Sequence, residues 1–207
     1  MSDTVARASA TKSRNVADKR EAILGAALEL FVSRGFHGTA VPQIAKEAGV
    51  GAGTIYRYFE NKEALVNALY REWKTRLATH LLAEFVPTGD AKVQFLAMWR
   101  RMADFVEHYA TGYAFIELVH HADYLDEESS AVAERYLQLA IAYIASKQMQ
   151  GEFRSGAPEL LWSLVEGAFM GLARFAREGR LELTPETIDA AGESAWEIVR
   201  PRPAPET

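Results

Sequence analysis

Cysteine is absent from the 207 residues, which excludes a disulfide framework, thiolate metal ligation and any thiol nucleophile. No apolar run is long enough to span a bilayer, and the N-terminus carries Ser, Thr, Lys and Arg where a leader would be hydrophobic. A cytoplasmic location with no membrane partner is expected. Strand signals are missing as well: apolar and polar residues nowhere alternate, and each apolar stretch repeats at helical spacing. The chain also lacks net positive charge, standing at −5. That figure hides a segregation, because residues 1–74 hold 11 Lys or Arg against 8 Asp or Glu, and the remainder 12 against 20, giving +3 and −8. An acidic body turns the basic end toward a polyanion, although +3 alone decides nothing.

What is present is an all-α pattern of about nine helices with neither a solenoid repeat nor a low-complexity linker. Residues 1–14 form a polar arm ending in Lys12 and Arg14, expected to be flexible and able to lie in a DNA minor groove. Asn15 is the expected cap of a first helix whose apolar stripe is Ile23, Ala27, Leu30 and Phe31 and whose stop is Gly35, with Phe36 folding back on it. Between Gly35 and Leu65 the sequence reads GFHGTAVPQIAKEAGVGAGTIYRYFENKEAL. Two short segments flank a Gly49-Val50-Gly51 turn, each with an inner face: Ile44, Ala45 and Ala48 on the first, Ile55 and Phe59 on the second. Thr39 is placed to cap the first of them, and Pro42 is tolerated in its first turn. A further helix starts at Asn61. This is a helix-turn-helix with a supporting helix. Outward on the second segment stand Gly51, Ala52, Gly53, Thr54, Tyr56, Arg57 and Tyr58, small residues that admit close backbone approach, then hydroxyls and a guanidinium.

The order Gly35-Phe36, Thr39, Ile44-Ala45, Ala48-Gly49-Val50, Gly53-Thr54-Ile55-Tyr56, Tyr58-Phe59 and Lys62-Glu63-Ala64-Leu65 resembles the DNA-binding signature of the TetR (tetracycline-repressor) family. The resemblance covers the first third of the chain. It implies a helix-turn-helix domain over 15–62 and a helical ligand-binding and dimerisation domain over 63–200; the tail over 201–207 has the composition of disorder. It further implies a homodimeric regulator, a repressor, that binds a palindromic operator on double-stranded DNA and is released by an apolar or aromatic small molecule. No cofactor, metal or enzymatic activity is expected. The matching positions place Tyr56 and Lys62 on phosphate, and Thr39, Gln43, Thr54 and Tyr58 at phosphates or base edges, beside Gly51, Ala52 and Gly53. Ala40, Pro42, Gly51 and Ala52 depart from the family's more polar residues. Base-specific hydrogen bonding is correspondingly sparse, shifting weight to Gln43, Thr54, methyl contacts and DNA shape.

From Leu65 an i+4 series through Leu69, Trp73, Leu77 and Leu81 predicts a long helix running to Pro87, a lever between two sites. Further helices are expected from Asp90, with an interruption at Gly112, from Glu127 to Gln150, from Pro158 to Gly179, and from Thr184 to Arg200. Large flat side chains are dense in this half, and candidates to enclose an apolar effector are Trp73, Leu77, Trp99, Met102, Phe105, Tyr109, Tyr113, Phe115, His120, Tyr143, Trp162 and Phe169. Packing within the core is the plainer role for most of them. For the dimer, Gly167-x-x-x-Gly171 beside Leu161, Val165, Phe169 and Leu172 permits close helix approach, and Ile188, Ala191, Ala195 and Val199 give the last helix a small apolar face. Two other functions have a foothold. Ala40, Gly51 and Ala52 fit a helical small-molecule binder whose DNA head has degenerated. Glu117-Leu-Val-His120 is one piece of a di-iron pattern, but no second copy exists, and His120 and His121 point about 100° apart.

Overall fold

The computed structural model describes residues 2–83, 89–118 and 122–202, and for 2–17, 118 and 122 it defines the backbone only. Among the described residues there is no strand, and nine α-helices follow in order: α1 Ser2–Arg34, α2 Val41–Glu47, α3 Ala52–Ile55, α4 Lys62–Leu82, α5 Ala91–His108, α6 Ala110–Tyr113, α7 Glu127–Met149, α8 Pro158–Arg177 and α9 Pro185–Val199. A π-helical stretch, Ala114–Leu118, and a 3₁₀ turn, Ala122–Tyr124, lie between α6 and α7. No described helix is long and apolar enough to cross a membrane. Of the expected tail, 201–207, residues 203–207 lie outside the described residues, as do 84–88, where the lever helix was expected to end.

The chain divides into two compact units. One comprises 1–72 and 114–126, the other 73–113 and 127–207. The boundaries read from sequence, 62 and 63, therefore miss a discontinuity: a stretch from the middle of the chain belongs with the N-terminal unit.

In the first unit α1 packs on α2, α2 on α3, and the π-helical stretch on α1. Ile23, Ala27, Phe31, Ile44, Ile55, Phe59, Leu65 and Leu69 are all buried, as their spacing requires. The helix α1 starts at Ser2, so Asn15 lies inside it and caps nothing. The physical reason is local: Ala6, Ala8, Ala10 and Ala17 favour helix, and no Gly or Pro stands before Gly25. Gly35 adopts φ 71° and Gly49 φ 65°, and Gly35 N–H donates to Phe31 O at 2.9 Å while Val50 N–H reaches back to Ala45 O at 2.9 Å. Both are left-handed helix stops that a side chain would strain. Phe115, expected at an effector pocket, is instead fully buried in this unit and stacks on Phe31 at 6.3 Å.

In the second unit α5 packs on α9, α7 on α8, and α8 on α9. Its core joins Ala91, Ile144, Phe153, Leu161, Trp196 and Val199, with Phe95, Tyr143, Trp162, Val165 and Ile198 packed against it. Trp99 is fixed edge-on to Phe169 at 5.0 Å and donates its indole N–H to Ile188 O at 3.1 Å. The break after α5 falls at Tyr109 (φ −135°, ψ 43°), not at Gly112, which lies within α6. Gly112 lacks a Cβ because the Trp73 ring occupies that space.

Of the residues expected at a dimer interface, most are covered within this chain. Leu161, Phe169, Ala195 and Val199 are buried in this chain's own core, and Val165, Leu172 and Ile188 are half-buried. The neighbouring stripe of α8 is the exposed one, with Leu160 at 54%, Leu164 at 44% and Phe175 at 42%. One residue along a helix is about 100° around its axis, so both faces of α8 are apolar and periodicity alone did not say which one the chain keeps for itself. Beside the stripe lies an open groove of about 440 Å³, lined by Gly167, Ala168, Gly171, Leu172 and Phe175 of α8, by Leu181, and by Ala191, Ser194, Ala195 and Ile198 of α9, with Trp99 beneath.

Candidate nucleic-acid interface

The turn from α1 to α2 sets the site. Thr39 is only 1% exposed, and its hydroxyl lies 2.8 Å from Gly35 O and 3.1 Å from Leu30 O. It is therefore spent on closing α1, and neither caps α2 nor reaches outward, contrary to the sequence reading. The N-cap is Ala40, in extended conformation and without a side-chain acceptor. Gln43 supplies the reciprocal half of a capping box, its Oε1 accepting from Ala40 N–H at 3.0 Å. Its Nε2 makes no hydrogen bond among the described residues, and the side chain is exposed.

After the Gly49 turn, Gly51 caps α3, which has only four residues. The coil then tightens: Arg57 N–H bonds Thr54 O at 3.2 Å and Tyr58 N–H bonds Ile55 O at 2.9 Å, before Phe59 N–H closes on the same Ile55 O at 2.9 Å. Glycines at positions 51 and 53 favour this early termination. Gly51, Gly53, Tyr56 and Arg57 are exposed, while Ala52, Thr54 and Tyr58 are half-buried. Tyr56 presents 56% of its surface. Ile55 and Phe59 anchor the segment inward, so what the helix-turn-helix offers outward is an amide, a phenol, a guanidinium and small residues. Arg57 and the exposed Lys46 at the end of α2 add cations that motif matching did not place in the site; surface position between inward anchors was the available signal.

Lys62 behaves otherwise than expected. Its ammonium donates to Phe36 O at 2.8 Å and to Thr39 O at 2.9 Å, and lies 4.0 Å from the centre of the Phe36 ring. The side chain is turned inward as a clamp on the α1–α2 turn, leaving one N–H for any phosphate. Asn61 does cap α4, accepting from Ala64 N–H at 2.7 Å.

The residues proposed to enclose an effector do not converge. Trp73, Phe105 and Tyr109 form one cluster, with Trp73 at 6.4 and 5.8 Å from the other two rings and the Arg76 guanidinium 4.7 Å above Trp73; Leu77 is buried on the same helix. Trp99, Phe169 and Tyr113 form a second. Tyr143 meets Phe153 in a third at 6.1 Å, and its hydroxyl donates to Gln94 Oε1 at 3.3 Å. Burial, with Glu152 nearby, pushes the Tyr143 phenol up to about 12. Met102 and Trp162 are half-buried, and His120, like His121, lies outside the described residues. Among the described residues no three His, Cys, Asp or Glu side chains are grouped to hold a metal.

Comparison with known proteins gives the family. Residues 23–69 match the model for bacterial regulatory proteins of the tetR family, and residues 70–201 match the tetracyclin repressor-like C-terminal domain. The HTH-type transcriptional regulator RutR of Escherichia coli K12 is 43% identical over 72 residues, covering 35% of this chain and 34% of RutR. The chain thus aligns with about a third of that relative's length. A TetR family transcription regulator from Marinobacter aquaeolei VT8 superimposes with a TM-score of 0.81 at 24% identity, covering 92% of this chain and 100% of the other. The regulator FadR from Bacillus subtilis, solved in complex with stearoyl-CoA, has the same fold at a TM-score of 0.70 and 21% identity, over 86% of this chain and 96% of that one. With both parts of the chain matched and the helix-turn-helix in place, this protein belongs to the TetR family of bacterial regulatory proteins.

Proposed function

We propose that the protein is a repressor that binds a palindromic operator as a homodimer in the cytoplasm and is released by an apolar or aromatic small molecule. The observation that carries the reading is the pairing of a single reading head with an unpartnered apolar stripe on α8. Leu160, Leu164 and Phe175 are exposed beside a groove of small residues. One helix-turn-helix reads one half-site, so two heads related by a two-fold axis require a self-complementary surface, and this stripe suits it. Gln43, Thr54, Tyr56, Tyr58 and Arg57 are the proposed contacts, with the backbone of Gly51, Ala52 and Gly53 close to DNA.

An apolar effector is the reading suggested by the amount of aromatic surface in the second unit, although its rings pack as separate clusters and not around one cavity. The Bacillus subtilis relative with this fold was solved in complex with stearoyl-CoA, an apolar acyl chain on a polar carrier. Coupling runs through α4, which begins at Lys62 in the first unit and passes into the second after Glu72. The test is calorimetric titration of a candidate apolar effector with and without the palindrome flanking the gene. Effector affinity differing by a factor of about 5–150 is expected, with the same factor for DNA in reverse. Equal affinities would remove the effector-released repressor and leave a constitutive binder.

A further inference from the structure

We infer that Tyr124 is a positioning residue for the DNA-reading head, although it comes from the middle of the chain and touches no expected DNA contact. The inference rests on the DNA-binding role alone, not on the repressor, dimer or effector readings. The Tyr124 ring lies on Phe36 with centroids 4.0 Å apart and planes 21° from parallel, and its hydroxyl is 2.8 Å from His37 Nε2. Phe36 is the residue whose ring also carries the Lys62 ammonium and whose carbonyl accepts from it. That carbonyl further accepts Thr39 N–H at 3.2 Å. The α1–α2 turn, from which α2 and α3 depart, is thus gripped from two sources: Lys62 of α4, and Tyr124.

Tyr124 is itself held by a built attachment. Asn67 of α4 is 3% exposed, and its carboxamide reads the backbone two residues apart: Nδ2 donates to Tyr124 O at 2.8 Å and Oδ1 accepts from Asp126 N–H at 2.9 Å. Arg71, one turn further along the same helix, lies 3.1 Å from each carboxylate oxygen of Asp126. A carboxamide that satisfies both a backbone donor and a backbone acceptor fixes the direction as well as the position of the segment. The helices α1 to α4 contribute Ile23, Phe31, Ile44, Ile55 and Leu65 to the head's buried interior. What Tyr124 touches is the turn that aims the reading helices. On both sides the chain continues into the other unit, at Tyr113 and at Glu127.

The test uses the full chain and a labelled random-sequence duplex at low salt, read by fluorescence anisotropy well below the melting temperature of each variant. Tyr124→Ala is expected to weaken binding by a factor of at least about five, the low end of ordinary coupling. Tyr124→Phe keeps the stack on Phe36 and is expected to restore binding to near that of the unmodified chain. Wild-type affinity in folded Tyr124→Ala, or an equal loss in Tyr124→Phe, overturns the inference. Should Tyr124→Ala not fold, Asp126→Asn replaces it, because that side chain is 47% exposed and its loss leaves the core intact. Faster amide exchange at Thr39 and Ala40 with unchanged exchange along α8 then supports the inference, and unchanged exchange at both sites sinks it.

Discussion

Lys62 offers the sharpest test, because motif position and geometry assign it different work. As a phosphate contact, its removal should weaken all DNA sequences alike and make the salt slope shallower by nearly one unit. As the clamp seen here, it should chiefly hold the head together. Lys62→Ala deletes two charge-assisted hydrogen bonds, to Phe36 O and Thr39 O, and a cation–π contact at 4.0 Å. Hydrogen bonds to a charged group are worth about 1.5–3 kcal/mol each, and a partly exposed cation–π contact about 0.5–1 kcal/mol. The half-buried site lets water replace part of this, so a net loss of about 2 kcal/mol is reasonable. At about 2–4 °C per kcal/mol for a chain of this size, melting should fall by about 4–8 °C. Calorimetry measures the melting shift, and anisotropy on random duplex from low to moderate salt measures the slope. The expected result is a lowered melting temperature with the salt slope nearly unchanged. An unaltered melting temperature with a slope shallower by about one unit would refute the clamp and restore Lys62 to the phosphate backbone.

Charge placed on the α8 stripe should separate the proposed homodimer: Phe175→Glu is expected to scatter light as a monomer at micromolar concentration, whereas a dimer unchanged by this and by Leu164→Glu would put the interface elsewhere. Gly112→Ala forces a methyl into the Trp73 ring, an overpacking expected to cost about 1–3 kcal/mol and visible as a lower denaturant midpoint; an unchanged midpoint would mean the ring moves freely. For Tyr143, burial raises the folded phenol to about 12, above the roughly 10 of an unfolded chain. Its contribution is therefore complete below about 10 and is lost as pH climbs through about 12. Tyrosinate absorbance should show a late-ionising phenol that disappears in Tyr143→Phe; a titration indistinguishable between the two proteins would contradict it.

Local features were written in the sequence because the forces behind them act over a few residues. Gly35 and Gly49 take the positive φ their position after a helix demands, and Asn61 and Thr184 accept the capping bonds expected of them. Ile23, Ala27, Phe31, Ile44 and Ile55 bury the faces that helical spacing marks, and the Gly-Thr-Ile-Tyr-x-Tyr-Phe run announces a DNA-reading head. The full extent of α1 was also local, in its alanines and its lack of breakers, though polarity suggested an arm. Other properties depend on partners far along the chain, and no window of sequence contains them. Thr39 is a nearer case: its hydroxyl turns back to the Leu30 and Gly35 carbonyls, nine and four residues earlier, where a capping rule looks only forward. Lys62 looks like a phosphate ligand until Phe36, 26 residues earlier, arrives beneath its ammonium. On α8 two adjacent stripes are equally apolar, and only packing against α5, α7 and α9 decides that Leu161 and Phe169 go inward and Leu160 and Leu164 stay out. Tyr124 and His37 stand 87 positions apart, and their contact exists because tertiary folding returns the middle of the chain to the N-terminal unit. Hydrophobic period fixes which residues share a face of a helix; it carries no information on which distant surface that face will meet.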